Sequence, residues 1–104
     1  MLADLPPTTD RMDTTIRILQ GTAARLDALA DASVDLVVTS PPYPMIEMWD
    51  GIFAAQEGRI GDHLGAGRGR DACELMHALL DRAWAEAYRV LKAGGIACVN
   101  IGDA

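Results

Sequence analysis

Long apolar runs are missing from this sequence: no uninterrupted apolar stretch approaches the roughly 20 residues that a helix needs to cross a bilayer. A basic leader followed by an apolar segment is missing too, because Met1 to Asp13 carries Pro6, Pro7 and the acids Asp4, Asp10 and Asp13 instead. These two absences predict a soluble, unsecreted, cytoplasmic chain with no membrane partner. Cysteine is scarce. Cys73 and Cys98 have no CxxC spacing and no nearby histidine pattern, so neither a zinc site nor a disulfide framework is indicated and no metal is expected. An excess of positive charge is also lacking: nine Lys and Arg against fifteen Asp and Glu give a net charge of -6. Affinity for a nucleic-acid duplex comes largely from cations that neutralise phosphates, so composition alone argues against such a partner. Internal repeats and low-complexity segments are absent as well.

With 104 residues, half of them hydrophobic, the chain has material for one modest core, hence one domain or part of one. Residues 1–13 lack periodicity and read as a flexible lead-in, with residues 14–104 forming the domain. Thr14 to Gln20 alternates, with Ile16 and Ile18 on one side and Arg17 on the other, which predicts a short strand ended by Gly21. Thr22 is a helix-cap residue type. Ala23 to Ala30, with Leu26 and Leu29 three apart, predicts a short helix.

Val34 to Thr39 is a β-branched run without alternation, the pattern of a parallel strand covered on both faces. Pro41 and Pro42 then force the chain out of the sheet at Ser40. Gly51 to Arg70 is rich in glycine and charge and lacks a sustained period. It reads as a mobile segment, most clearly over 57–70, with a short helical piece around Ile52 to Gln56. Asp71 and Glu74 form an acidic capping box, and Met76, Leu80, Ala83, Ala87 and Leu91 recur at three- and four-residue steps. A long amphipathic helix reaching Gly94 is predicted there. Ile96 to Ile101 is strand-like. The order strand, helix, strand, loop, helix, strand is an α/β layout with right-handed crossovers.

In open α/β sheets ligands sit beyond the carboxyl ends of strands, and Thr39-Ser40-Pro41-Pro42-Tyr43 occupies that place. Adjacent prolines stiffen the backbone between a hydroxyl and an aromatic ring. Such a site suits a planar substrate bearing an amine: Ser40 Oγ and a proline carbonyl accept its N–H bonds while Tyr43 stacks on its ring. If acceptors raise the lone-pair character of the nitrogen and a methyl donor lies in line, transfer needs no strong base. An exocyclic amine in a duplex lies inside the stack, so its base would have to be flipped out. By itself, a Pro-Pro pair after a strand is often only a turn.

Thr39-Ser40-Pro41-Pro42-Tyr43 resembles the catalytic motif of the DNA amino-methyltransferases: Asp, Asn or Ser, then Pro-Pro, then an aromatic. The flanks resemble that family as well, from Gly21 through Leu29 to Ser33-Val34-Asp35-Leu36-Val37-Val38, and again at Arg89-Val90-Leu91-Lys92-Ala93-Gly94-Gly95. Together these segments extend the resemblance over residues 14–103. It implies a partial Rossmann-like fold of about three strands, S-adenosylmethionine as methyl donor, DNA as substrate and a restriction endonuclease as an associated activity. It further implies catalytic roles for Ser40, Pro41, Pro42 and Tyr43, and a cofactor-binding side formed by Gly21, Thr22 and Thr39. Thr22 stands where the family often has an acid. Serine at the first motif position is most often associated with cytosine N4, whereas Asp or Asn is usual for adenine N6.

No Phe-x-Gly-x-Gly segment is found, and two strands that lie in the family's sheet between the equivalents of Thr14 to Gln20 and Val34 to Thr39 are lacking. The chain is therefore expected to be an amino-terminal fragment. Val34 to Thr39 is expected to pair with Ile96 to Ile101, the first strand being the least secure element. Two alternatives stay open: methylation of adenine N6 or of an amine in RNA or protein, and a truncated remnant or docking piece without activity of its own. Elsewhere, Arg59, His63, Arg68 and Arg70 form a local cationic stretch, while Met48 and Trp49 are expected against the sheet edge. Trp84 and Tyr88 read as packing residues, and His63 and His77 as non-catalytic.

Overall fold

The computed structural model describes residues 13–102, so almost all of the expected lead-in lies outside the described residues. Its elements follow the order β1 (Val34–Thr39), α1 (Glu47–Gln56), α2 (Gly58–Gly65), α3 (Gly69–Val90) and β2 (Leu91–Val99). This is a small α/β unit. The two strands pair in parallel, with Leu36 opposite Ile96, Val37 opposite Ala97, Val38 opposite Cys98 and Thr39 opposite Val99. The expected pairing is thus present, and Asn100 N–H continues it by donating to Thr39 O at 2.9 Å. β2 begins five residues earlier than its apolar run, because an irregularity in register between Val34 and Leu36 admits the glycine-containing start of the strand. Gly94 there has φ +81, and a Cβ on Gly95 would lie 2.9 Å from Lys92 O and 3.2 Å from Asp35 O. Larger residues would separate the strands at this point.

The core is helical. Phe53 from α1, Ile60 from α2, and Ala72, Met76 and Leu80 from α3 are buried together, with Trp49, Leu64, Leu75, Leu79 and Trp84 packed around them. The expected mobile segment over 57–70 is mostly helix for this reason: Ile60 and Leu64, four apart, bring one face of α2 to the core. Gly61 lets α2 approach α1, since a Cβ there would be 3.6 Å from Ala54 Cβ. Glu57 starts the helix by accepting from Arg59 N–H. α3 begins two residues before the expected capping box, with Asp71 in its first turn rather than at its cap, and it ends at Val90 instead of Gly94. Trp49 packs on the helical cluster rather than the sheet edge, Met48 is exposed, and Tyr88 is 86% exposed, contrary to its reading as a packing residue.

Two further expectations are corrected. Thr14 to Gln20 is not a strand, and Ile16 and Ile18 are 82% and 94% exposed. Alternation fixes the two faces of a strand, but a strand also needs a neighbour for its N–H and C=O groups, and this segment has no ladder partner among the described residues. Among the described residues the layout therefore has two strands, not three. The other correction concerns coverage of β1: Leu36 and Val38 are exposed, as is the adjacent Ile96, so one face of the sheet is not covered by any described element. Among the described residues, no helix is long and apolar enough to cross a membrane.

Because Met76 is fully buried at the centre of the three-helix cluster, Met76→Ala is expected to destabilise the fold by about 2–5 kcal/mol. Urea unfolding measures this directly, and a loss below about 1 kcal/mol would contradict the placement of the core.

Candidate active site

The motif leaves β1 at its carboxyl end as the stiffness of two prolines requires: Pro41 is buried, Pro42 and Tyr43 are partly buried, and Ser40 is exposed to solvent. Tyr43 O then accepts from Ile46 N–H at 3.4 Å, Met45 takes the left-handed conformation with φ 65, and α1 starts at Glu47. The strand end and the buried proline thus fix where Ser40 stands. The ring of Tyr43 meets that of Trp49 edge to face, with centroids 6.0 Å apart and planes at 62°. On the carboxyl side of β2, Gly102 passes so close that a Cβ would lie 2.7 Å from Tyr43 Cε2. Trp49 and Gly102 therefore limit how far the Tyr43 ring can turn.

The motif borders two separate hollows. Ser40, Pro41 and Pro42 line one of about 300 Å³ together with Thr22 and Thr39, its apolar wall coming from Phe53, Leu79 and Leu80. Tyr43 lines the other, of about 280 Å³, opposite Cys73 and His77 of α3. Of the residues expected on the cofactor side, Thr22 and Thr39 are thus brought to Ser40. Gly21 lines a different depression formed by residues 19–29, which also includes Thr22.

Thr22 reaches the motif because α3 holds the segment before β1. Arg89 makes a two-pronged ion pair with Glu86, Nε to Oε1 and Nη2 to Oε2, both at 3.0 Å. The same guanidinium donates to Leu26 O at 2.9 Å, Leu29 O at 3.0 Å and Asp31 Oδ1 at 2.7 Å. Glu86 Oε2 in turn accepts from Leu26 N–H at 2.8 Å. The Leu26 N–H and C=O among these are backbone groups that a helix over 23–30 would satisfy internally. Residues 23–30 accordingly form two turns rather than the expected helix, closed by Arg25 N–H to Thr22 O and Leu29 N–H to Leu26 O. With no helix to cap, Thr22 instead closes a local turn, its Oγ1 accepting from Ala24 N–H at 3.2 Å.

The cationic stretch finds partners within its own neighbourhood. Arg59 pairs with Glu57 at 2.8 Å, and its hydrogen bond holds that carboxyl below its ordinary range. Arg68 Nε donates to His63 Nδ1 at 2.8 Å, and Arg70 lies 4.0 Å from Glu74. Cys73 and Cys98 are free thiols. Among the described residues, no group of three or more His, Cys, Asp or Glu is arranged to hold a metal ion.

A model of the N6/N4 DNA methylase family, described as DNA methylase, matches residues 34–104, most of the chain. The chain belongs to this family. Membership implies a Rossmann-like parent fold, of which β1, α3 and β2 form a strand-helix-strand unit. Type II methyltransferase M.MjaI of Methanocaldococcus jannaschii is 46% identical over 99 residues, and type II methyltransferase M.MthZI of Methanothermobacter thermautotrophicus is 44% identical over 94. The alignments cover 85% and 89% of this chain but 33% and 26% of those relatives. The release factor glutamine methyltransferase of Streptomyces coelicolor is 34% identical over 89 residues, covering 85% of this chain and 30% of its own. The chain thus spans about a third or less of the length of the curated relatives it matches. No solved structure matches.

Sequence reasoning missed the contributions of Cys73, His77 and Gly102 to the surroundings of Tyr43, and it preferred the sheet edge to a pocket for Trp49. A four-residue step from Cys73 to His77 marks a shared helix face, but nothing in the spacing says that this face meets the motif.

Glu86 supplies a test of the tether. Hydrogen bonding from Arg89, then from Leu26 N–H, lowers its carboxyl from the ordinary 4.5 to about 2. A depressed carboxylate contributes stability that is present above the unfolded value and lost as pH falls through the folded one. The Leu26 amide resonance should therefore titrate near pH 2, and Arg89→Ala should return the transition toward 4.5. A wild-type midpoint near 4.5 would mean that the tether does not form.

Proposed function

We propose that this methylase serves site-specific DNA methylation, transferring a methyl group from S-adenosylmethionine to the exocyclic amine of a flipped base, with cytosine N4 as target. The observation that carries this reading is the placement of Ser40, between buried Pro41 and the end of β1, beside a hollow it shares with Thr22 and Thr39. The names of the two type II methyltransferases support the reaction class. Serine at the first motif position favours cytosine over adenine.

The hollow's chemistry fits part of a nucleoside-bearing donor. Three hydroxyls stand at one side, and Phe53, Leu79 and Leu80 provide an apolar wall for a purine. About 300 Å³ is the lower end of small-molecule sites, so these residues would hold one portion of the molecule. When bound, S-adenosylmethionine supplies an electrophilic methyl group on a sulfonium.

Ser40 Oγ and a proline carbonyl accept the amine's N–H bonds, which aims the nitrogen lone pair and holds the amine still. As a new N–C bond formed and the methyl–sulfur bond of the donor broke to leave a neutral thioether, the surplus proton would lie on a hydrogen bond to Ser40 and leave to solvent, to which Ser40 is open. Tyr43, restricted by Trp49 and Gly102, offers its ring to the base. Arg59 of α2 is paired with Glu57, and with a net charge of -6 the chain has little purchase on phosphates, so these residues would position the base rather than grip the backbone.

A second reading, methylation of a protein amide, draws support from the release factor glutamine methyltransferase relative. A planar amide nitrogen poses the same problem of orientation as a base amine.

Ser40→Ala should reduce transfer of labelled methyl from S-adenosylmethionine to DNA by at least about 10²-fold while the folded spectrum is kept. Transfer at the wild-type rate would overturn the site. Label appearing in protein and not in DNA would favour the amide reading.

A further inference from the structure

The hollow beside Tyr43 has polar groups that the proposed transfer step does not use. The motif passes from one hollow to the other: Ser40, Pro41 and Pro42 line the first, and Tyr43 with the residues after it lines the second. Its walls are mostly apolar, from Pro44, Met45, Ile46 and Ile101, and its polar atoms come from Tyr43, Cys73 and His77. At about 280 Å³ it is just below the usual range for small-molecule sites, a size suited to a single heterocycle rather than a whole nucleotide.

Gly102 packs directly against the Tyr43 ring, where a Cβ would lie 2.7 Å from Cε2, so only a glycine permits this approach. Trp49 holds the ring from another direction. His77 is exposed on α3, one turn beyond Cys73, and no hydrogen bond or ion pair engages it among the described residues. His63, by contrast, is occupied by Arg68. His77 therefore brings an uncommitted N–H donor to an apolar recess beside an aromatic ring.

We propose that this second hollow is the base-reading pocket and that His77 is its specificity residue, donating its imidazole N–H to the ring carbonyl O2 of cytosine. Adenine presents a C–H in the corresponding position, so a donor there is satisfied by cytosine and left unpaired by adenine. Leaving a site's donor without its acceptor is an effective means of rejection. The Pro-Pro step then separates the Ser40 hollow from the recess that identifies the base, with the amine at the boundary. This inference rests on reading the motif as a base-amine site.

The test is binding by the chain itself, with deoxycytidine and deoxyadenosine as probes, followed through the ring resonances of Tyr43 and His77. Deoxycytidine should move both sets of signals and bind at least about tenfold more tightly than deoxyadenosine, one hydrogen bond being worth about that ratio. His77→Ala should abolish the preference while Tyr43 still responds, and His77→Gln, which keeps an N–H donor, should restore part of it. The exposed position of His77 leaves the fold of either variant intact, which backbone resonances verify. Equal affinity for the two nucleosides, no binding of either, deoxycytidine shifts that bypass His77, or a preference that survives in His77→Ala would each overturn the proposal. Since the readout is binding, it can fail while Ser40-dependent transfer stands, and it can succeed where transfer fails.

Discussion

Arg89 is the constraint on which the arrangement around the motif depends. One guanidinium, near the end of α3, takes up Glu86, Asp31 and the carbonyls of Leu26 and Leu29, while Glu86 takes the Leu26 N–H. A planar five-donor group can satisfy several acceptors at once without losing much further freedom, which suits arginine and not lysine to this place. The tether also explains an absence of structure: residues 23–30 give their backbone groups to α3 and so do not coil into a helix. Its consequence is that Thr22 stands beside Ser40. Ala32 and Ser33 then donate to Arg89 O and Val90 O, so the start of β1 is fixed to the same helix end.

From that anchoring the division of the site follows. β1 delivers Ser40 and the prolines, the start of α1 delivers Trp49, α3 delivers Cys73 and His77, and the segment after β2 delivers Gly102. Three-helix packing fixes α1 relative to α3, and parallel pairing fixes β1 relative to β2. Parallel sheets ordinarily have both faces covered. Here Leu36, Val38 and Ile96 leave one face open among the described residues, and the apolar sheet contributes less to the core than the helices do.

Some of this was legible in the residues and some was not. The run Val34 to Thr39, the prolines after it and the three- and four-residue steps through Met76 and Leu80 each carry a local cause for the element they form, so β1, its exit and the body of α3 could be read directly. The pairing of β1 with Ile96 and its successors was also anticipated. Thr14 to Gln20 misled because alternation shows which side chains share a face but supplies no partner for a ladder. Ala23 to Ala30 misled because the competitor for its backbone is a side chain about sixty residues away. The glycines of 57–70 obscured the Ile60 and Leu64 pair that makes α2. For the site, Ser40 to Tyr43 are four consecutive residues that stand out in the sequence, whereas His77, Trp49 and Gly102 meet Tyr43 only through the fold.

The reaction proposed for the motif is methylation of the exocyclic amine of cytosine in DNA. It is tested most directly by digesting to nucleosides the DNA of otherwise methylation-free cells that express the protein from its own gene, and identifying the modified nucleoside by mass spectrometry. N4-methylcytosine is expected with the wild-type gene and is expected to be lost with Ser40→Ala. N6-methyladenine in its place would contradict the choice of base, and unmodified DNA from cells that accumulate the folded protein would contradict DNA methylation itself.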